Sequence, residues 1–234
     1  HKLQVASTIG VVNDFKLERK SLQALREYVP GSKVMAGNRT VTSRGILKAS
    51  VGEHALGLHG KLAQCGNGHS FYTITPELGN CPYCNAPASW PKNLLLPRNG
   101  YQTAVWDEPE YRYDPRMISY RCPIHVQFHE PTQTVPDFGE VSRLNAAWFK
   151  DGEILAIHDG AHRKGFAVCT TCGYADSECS DNGEGREGLA DGFAEHWAVN
   201  GFKKCWKDDS APVLRHITLA AQQTTELLRL DFSP

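Results

Sequence analysis

Residues 65–84 read CGNGHSFYTITPELGNCPYC and bring three cysteines and one histidine into a segment otherwise rich in turn-forming residues. Three residues separate Cys65 from His69, and two separate Cys81 from Cys84. A tetrahedral zinc ion takes four ligands of this kind, and a Cys-x-x-Cys pair on a tight turn can direct both sulfurs to one ion. The segment therefore predicts a closed zinc site built from these four residues. Because four protein ligands leave no position for water, the expected role of this site is structural.

A second group of possible ligands lies in the C-terminal half. Cys169 and Cys172 form another Cys-x-x-Cys pair, at the end of an apolar run and followed by a glycine. Cys205 is the third expected ligand, and the spacing leaves the fourth open between His196 and Cys179. The sequence thus predicts two zinc sites.

A third, weaker set consists of Cys122, His125 and His129. One cysteine with two histidines is a sparse ligand set, so core packing or a contribution to a neighbouring site is the favoured interpretation.

Composition places the 234-residue chain among globular proteins, with 41% hydrophobic and 22% charged residues and a net charge of −1. Eight cysteines permit disulfides, but the two Cys-x-x-Cys pairs favour reduced, metal-binding thiols in a cytoplasmic protein. No apolar run approaches the roughly 20 residues of a membrane span. Phosphate-binding loops, dinucleotide fingerprints and hydrolase motifs are absent from the sequence, so we expect no catalytic site in the chain itself.

Hydrophobic patterns predict the secondary structure only in part. We expect an amphipathic helix over residues 14–28 and a hairpin that turns at Gly37-Asn38. A second hairpin is expected to pair residues 154–158 with 165–169. Leu228, Leu230 and Phe232 alternate with charged residues as in a strand, whereas 219–226 would suit a helix by propensity. The predicted fold class is α+β, mostly short strands and loops, with zinc-ribbon-like modules and a few short helices.

Three regions are expected along the chain. Residues 1–60 form a basic region with a helix and a hairpin, residues 61–130 a first zinc-ribbon-like module, and residues 131–234 a second zinc-binding, β-rich module. The first fifty residues hold nine Lys and Arg against three Asp and Glu, whereas residues 173–195 hold seven acidic residues against one arginine. The acidic stretch predicts a solvated loop.

Several stretches together resemble the region that follows the motor domains in large bacterial superfamily-two DEAD/DEAH-box helicases. In that family a zinc-binding domain typified by mitomycin repair factor A lies at or near the C-terminus, and relatives include helicase subunits of the Druantia and DISARM anti-phage systems. The stretches that carry the resemblance are REYVPGSKVMAGNRTVTSRGIL (26–47), CGNGHSFY with CPYC (65–84), LPRNGYQTAVWDEPEY (96–111), GFAVCTTCGYADSE (165–178) and CWKDDSAPVLRHITLAAQQTTELLRLDF (205–232).

The resemblance implies that Cys81 and Cys84 serve one metal site and that Cys169, Cys172 and Cys205 serve another. It also favours His196 over Cys179 as the remaining ligand, because relatives tend to carry a histidine in the segment that matches GFAEHW.

The chain departs from the family in three ways. Glu226 stands where an aspartate is usual, the motor domains are missing, and so are the glycine-rich segment and last cysteine group found beyond the terminal strand. We therefore expect an internal piece of a larger helicase whose ATP-dependent activity resides in the missing part.

Three functions remain open. The chain is expected to be a zinc-stabilised accessory module that contacts DNA, single-stranded or at a duplex junction, or a partner subunit of a repair or anti-phage complex, beside the motor domains of the same protein. Candidate phosphate contacts are Lys33, Arg39, Arg44 and Lys48. The alternatives are a protein-interaction scaffold without nucleic-acid contact and a metalloenzyme with one cluster open to water.

Overall fold

The computed structural model describes residues 2–5, 15–36, 39–49, 52, 54–110, 122–128, 132–135, 144–160, 163–178, 196–205 and 213–232. Within these ranges the chain forms one helix, α1 (Ser21–Glu27), and fifteen strands. The strands are β1 (Lys2–Val5), β2 (Phe15–Glu18), β3 (Lys33–Ala36), β4 (Arg39–Thr42), β5 (Gly45–Ile46), β6 (Leu58–Cys65), β7 (Ser70–Thr73), β8 (Ala88–Leu96), β9 (Gly100–Gln102), β10 (Ile124–Gln127), β11 (Gln133–Val135), β12 (Leu144–His158), β13 (Phe166–Cys169), β14 (Ala175–Ser177) and β15 (Val213–Phe232). The predicted class is confirmed: an α+β chain of mostly short strands and loops.

The long strand β15 organises the largest sheet. On one side it pairs antiparallel with β12 from residue 219 to 232 and with β13 from residue 213 to 217. On the other side it pairs in parallel with β8, but only over Ile217–Leu219. β8 continues the sheet through β6 to β7, and β12 continues it to β10. The segment 219–226 is therefore strand, because residues 219–225 pair with β12 and the pairing resumes at Leu227 after a register shift.

The predicted hairpin between residues 154–158 and 165–169 is wrong. Both segments are strands, but each pairs antiparallel with β15, so they run in the same direction one after the other along the same edge. A local pattern shows that two segments are extended, but it does not show which strand each segment pairs with. Here both pair with a third strand, β15, that is distant in the sequence.

The N-terminal region corrects a second expectation. The predicted helix over 14–28 is shorter, because residues 15–18 form β2, which pairs with β1, and only 21–27 form α1. Helix α1 packs against β12 and β15 and buries Ala24 and Leu25 in the main hydrophobic cluster. The pairing of residues 15–18 with β1 thus outweighs the helical pattern at the start of the predicted helix. The predicted pairing of β3 with β4 is confirmed, whereas the turn residues Gly37 and Asn38 lie outside the described residues.

Strand pairing crosses the expected region boundaries. The largest sheet contains strands of both the 61–130 and the 131–234 regions, and a small sheet in the order β2-β1-β9-β5 joins residues of the first two regions. The division into three regions itself stays a prediction. Among the described residues, no helix combines the length and the apolar character needed to cross a membrane.

Candidate metal centres

The first site is formed where β6 meets β7 and where a short loop follows them. Cys65 ends β6 and His69 immediately precedes β7, so a four-residue turn brings them together. The His69 Nδ1 atom lies 3.6 Å from Cys65 Sγ, 3.7 Å from Cys81 Sγ and 3.4 Å from Cys84 Sγ. Cys65 Sγ lies 3.7 Å from Cys84 Sγ. The structure therefore brings all four predicted ligands of this site together.

The second site joins the end of β13 to a small hairpin at residues 196–205. Cys205 donates its backbone N–H to the His196 carbonyl at 3.1 Å, which places both residues at the base of this hairpin. Cys169 Sγ lies 3.8 Å from Cys205 Sγ, and Cys172 Sγ lies 3.3 Å from His196 Nε2. The four ligand atoms lie within 4.8 Å of one another, as they do in the first site.

These separations match the edges of a metal tetrahedron. With bond lengths of about 2.3 Å to sulfur and about 2.0 Å to nitrogen, a tetrahedral ion has S···S edges of about 3.8 Å and S···N edges of about 3.5 Å. The sulfurs are too far apart for disulfides, whose S–S bonds are about 2.05 Å long, and these cysteines are free. Each cluster can therefore hold one metal ion.

The two Cys-x-x-Cys pairs lie on separate turns that have the same backbone hydrogen-bond pattern. The N–H of Cys81 donates to the carbonyl of Ala86 and the N–H of Asn85 donates to that of Cys81. At the second site, Cys169 donates in the same way to Tyr174, and Gly173 donates to Cys169. The fifth residue of each turn has a positive φ, 57° for Asn85 and 83° for Gly173, which suits asparagine and glycine. We refer to residues 81–86 and 169–174 as the first and second knuckles.

Backbone amides favour thiolates at both knuckles. The N–H of Tyr174 donates to Cys172 Sγ at 3.4 Å. At the first knuckle the N–H of Ala86 likewise donates to the Cys84 sulfur, and this contact is the main reason that the pKa of Cys84 is lowered to about 6. The Cys172 thiol lowers the pKa of Cys169 by donating a hydrogen bond to its sulfur. A thiolate is the form that binds metal, so each knuckle favours the thiolate at one cysteine of its pair. Hydrogen bonding with Cys169 raises the pKa of Cys172, and burial raises the pKa of Cys81.

The second site is also packed tightly on its histidine side. The His196 ring is buried and stacks on the Tyr174 ring with centroids 4.7 Å apart and planes at 10°. The indole N–H of Trp106 donates to the Ala198 carbonyl, which anchors the 196–205 hairpin to the segment after β9. The sequence did not indicate these supporting contacts, because the partners lie far apart in the chain.

The predicted phosphate contacts have intramolecular partners. Lys33 pairs with Glu110 at 2.8 Å, and Arg44 pairs with Asp107 at 2.6 Å. The Lys48 ammonium donates to two backbone carbonyls of the second knuckle. Arg39 lies on β4 and is half-buried. Their role in binding DNA stays a prediction, and the surface nearest to them is partly neutralised by acidic side chains.

The remaining candidate ligands do not form a third group within the described ranges. Cys122 is buried in the main hydrophobic cluster, where burial raises the pKa of its thiol. His125 lies on β10, and burial lowers the pKa of its imidazole. His129 and Cys179 lie outside the described residues.

No protein-family model, curated protein or solved structure matches the chain. The helicase resemblance therefore rests on the sequence stretches quoted above.

Replacing Cys172 or Cys84 by serine should remove one metal ion each, because a three-ligand remnant holds the ion far more weakly. We expect Cys172→Ser also to lower the melting temperature and to unfold the C-terminal half. Elemental analysis and thermal unfolding measure the two effects. Cys122→Ser, at a buried thiol outside both clusters, should retain both ions. If Cys169→Ser and Cys172→Ser both keep full metal content and stability, the second site is not a structural metal site.

Gly173→Ala should destabilise the chain by roughly 3 kcal/mol in urea unfolding at saturating metal. An added Cβ would lie 2.2 Å from the Ile46 carbonyl oxygen, at a φ of +83° that alanine rarely adopts. Gly66→Ala is the matched control in the turn of the first site, since nothing lies within 4 Å of its added Cβ. Equal stability of the two variants would contradict the close approach at Gly173.

Proposed function

We propose that the chain binds two structural zinc ions and serves as an accessory module of an ATP-dependent DNA helicase or translocase, where it contacts DNA or a partner subunit. The observation that carries the zinc proposal is the pair of complete Cys3His sets with tetrahedral spacing. Three soft thiolates and one imidazole suit zinc better than the oxygen-preferring ions magnesium and calcium.

A structural role follows from the number of ligands. Each cluster supplies four protein ligands, whereas catalytic zinc sites keep a position for water. Zinc bound in such a set contributes directly to folding, because the thiolates must be gathered from distant segments. The metalloenzyme alternative would require one ligand of a cluster to remain unbound.

The helicase setting is supported by the ordered sequence stretches that resemble the post-motor region of superfamily-two helicases. Under this proposal the zinc-held loops and sheet present a surface to nucleic acid beside the motor, in DNA repair or anti-phage defence.

An interaction scaffold is the second candidate, and the exposed apolar face of the large sheet favours it. Leu228, Leu230 and Phe232 alternate along β15 and are 63%, 45% and 75% exposed. Ile124 and Val126 on β10 form a separate exposed pair, because they oppose residues 156 and 154 of β12, whereas Leu228 opposes residue 148. Apolar side chains grouped in this way on a surface commonly mark a protein contact.

Elemental analysis of the purified, reduced chain should find two zinc ions per molecule, and thiol counting should find all eight cysteines reduced after the metal is removed. Removing zinc with a strong chelator should lower the melting temperature, and adding zinc back should restore it, because metal binding and folding are coupled. A chain without metal and with its cysteines paired in disulfides would overturn the zinc proposal.

Binding to DNA should weaken by about tenfold or more when salt rises from about 50 to about 200 mM, because phosphate contacts release counterions. Fluorescence anisotropy with a labelled oligonucleotide measures this dependence. A zinc-loaded chain that binds no DNA at low salt would leave the scaffold as the supported function.

A further inference from the structure

Two β-bulges flank the point where β8 and β15 begin to pair. Along β6 and β8 the register passes from Leu62↔Lys92 to Gln64↔Ser89, so two residues of β8 oppose one residue of β6. The two residues of β8 are Trp90 and Pro91. Along β13 and β15 the register passes from Phe166↔Ile217 to Val168↔Leu214, so Arg215 and His216 form a similar bulge in β15. The parallel pairing of the two strands starts immediately after both bulges, at Asn93 and Ile217.

Both bulges hold a residue in a backbone conformation that side chains disfavour. Trp90 has a φ of 53° and His216 a φ of 54°, and Arg163 nearby has a φ of 58°. These three are all but one of the non-glycine residues with positive φ in the described part of the chain. Strained residues of this kind persist where the surroundings hold them, and they concentrate at binding sites.

Trp90 is 87% exposed, an unusual state for the largest apolar side chain. Strand β8 buries only its last three residues, Leu94, Leu95 and Leu96, and Trp90 lies in the exposed part of the strand that contains the bulge. An exposed indole on a paired strand is a suitable platform for stacking an unpaired base.

A cationic cleft of about 160 Å³ lies where the strands diverge, beginning at the residue after Trp90. Three cations, Lys92, Arg163 and Lys164, line it together with one carboxylate, Asp159. The Asp159 carboxylate accepts hydrogen bonds from Lys92 at 2.7 Å and from Thr218, and so ties β8 to β15 across the cleft. Positive charge is therefore in excess in the lining of the cleft, although the chain as a whole is nearly neutral.

A buried carboxylate holds the β15 side of the cleft. Glu178 is only 1% exposed. It accepts hydrogen bonds from the Arg215 guanidinium at 3.0 and 3.2 Å and from the His216 backbone N–H at 2.8 Å. The His216 imidazole also contacts Glu178, with Nδ1 2.9 Å from the carboxylate oxygen Oε2. These contacts fix the second bulge without using the cations of the cleft.

A larger cavity of about 790 Å³ adjoins the cleft and shares Asn93 with it. Its wall combines apolar side chains, among them Ile74 and Leu214, with the cations Lys61 and Arg215. Apolar surface beside cationic groups suits bases and phosphates, respectively.

We infer that this bulge cleft, defined by Trp90, Lys92, Arg163 and Lys164, binds single-stranded nucleic acid. Trp90 stacks on an unpaired base and the cations contact the adjoining phosphodiester groups. The inference rests on the nucleic-acid contact in the proposed function and locates that contact away from the basic hairpin suggested by the sequence. A duplex offers no unstacked base to Trp90, so it should bind more weakly than a single strand of equal length.

The test uses the zinc-loaded chain and a fluorescein-labelled 20-nucleotide oligothymidine, with affinity measured by anisotropy over a salt series. Trp90→Ala should weaken binding by roughly tenfold, and Trp90→Phe should retain most of the affinity, because stacking needs an aromatic face. Phe232→Ala is the matched control, since this aromatic residue is 75% exposed at the far end of β15. Zinc content and melting temperature verify that each variant is folded.

The cations are tested with the double variant Arg163→Ala/Lys164→Ala. The slope of log affinity against log salt should become shallower by about 1.4, since each lost phosphate contact on a single strand contributes about 0.7. Lys20→Ala/Lys150→Ala removes two exposed cations elsewhere and should leave the slope unchanged. Inorganic phosphate at equal phosphate concentration should compete poorly with the oligonucleotide.

The outcomes separate the cleft from the broader proposal. If the unaltered chain binds no oligonucleotide at low salt, both the cleft and the DNA contact are overturned. If it binds, but the Trp90 and Arg163/Lys164 variants bind equally well, the cleft assignment fails while the DNA contact stands. Equal competition by inorganic phosphate would identify a simple anion site and would also overturn the inference.

Discussion

The second knuckle is held by its backbone carbonyls, and the four at residues 170–173 accept hydrogen bonds from the first half of the chain. Lys48 donates to the carbonyls of Thr170 and Thr171, and the Gln102 amide donates to that of Cys172 at 3.3 Å. The Ile46 N–H donates to the carbonyl of Gly173 at 2.8 Å. A turn that points its N–H groups at thiolates exposes its carbonyls on the outside, and buried carbonyls need donors. These contacts therefore attach the second Cys/His cluster to the N-terminal region.

Each Cys/His cluster lies at the end of a strand on which the large sheet relies. Cys65 is the last residue of β6, which pairs with β7 and β8, and Cys169 is the last residue of β13, which pairs with β14 and β15. Strand ends fray where pairing stops, and a four-ligand cluster holds them by attaching a second segment to the same ion. Zinc in these positions would stabilise the sheet as well as the loops.

The parts of the structure that sequence patterns predicted correctly depend on residues close together in the chain. The turns at the Cys-x-x-Cys pairs, the β3–β4 hairpin and the alternation at Leu228 and Leu230 are of this kind. The errors involve distant partners: residues 15–18 pair with β1, and β12 and β13 share one edge of β15. The carbonyls that Lys48 contacts lie 122 and 123 positions away, so a local pattern does not predict this contact, and the role of Lys48 in binding DNA stays a prediction. Trp90 precedes Pro91 within a strand, and a proline inside a strand is a sequence signal for a bulge.

Different side chains hold the bulge cleft and the ends of the strands. The clusters hold the strand ends, whereas the cleft is held by two carboxylates, Asp159 across β8 and β15 and Glu178 beneath the β15 bulge. Glu178 belongs to the short segment after β14, so the second knuckle, which leads into β14, also places this carboxylate. Loss of the second metal should therefore loosen the β15 side of the cleft through Glu178, while Trp90 on β8 stays supported by β6. The second Cys/His cluster is therefore linked to the proposed cleft through Glu178 and through the pairing of β13, which ends at Cys169, with the bulged part of β15.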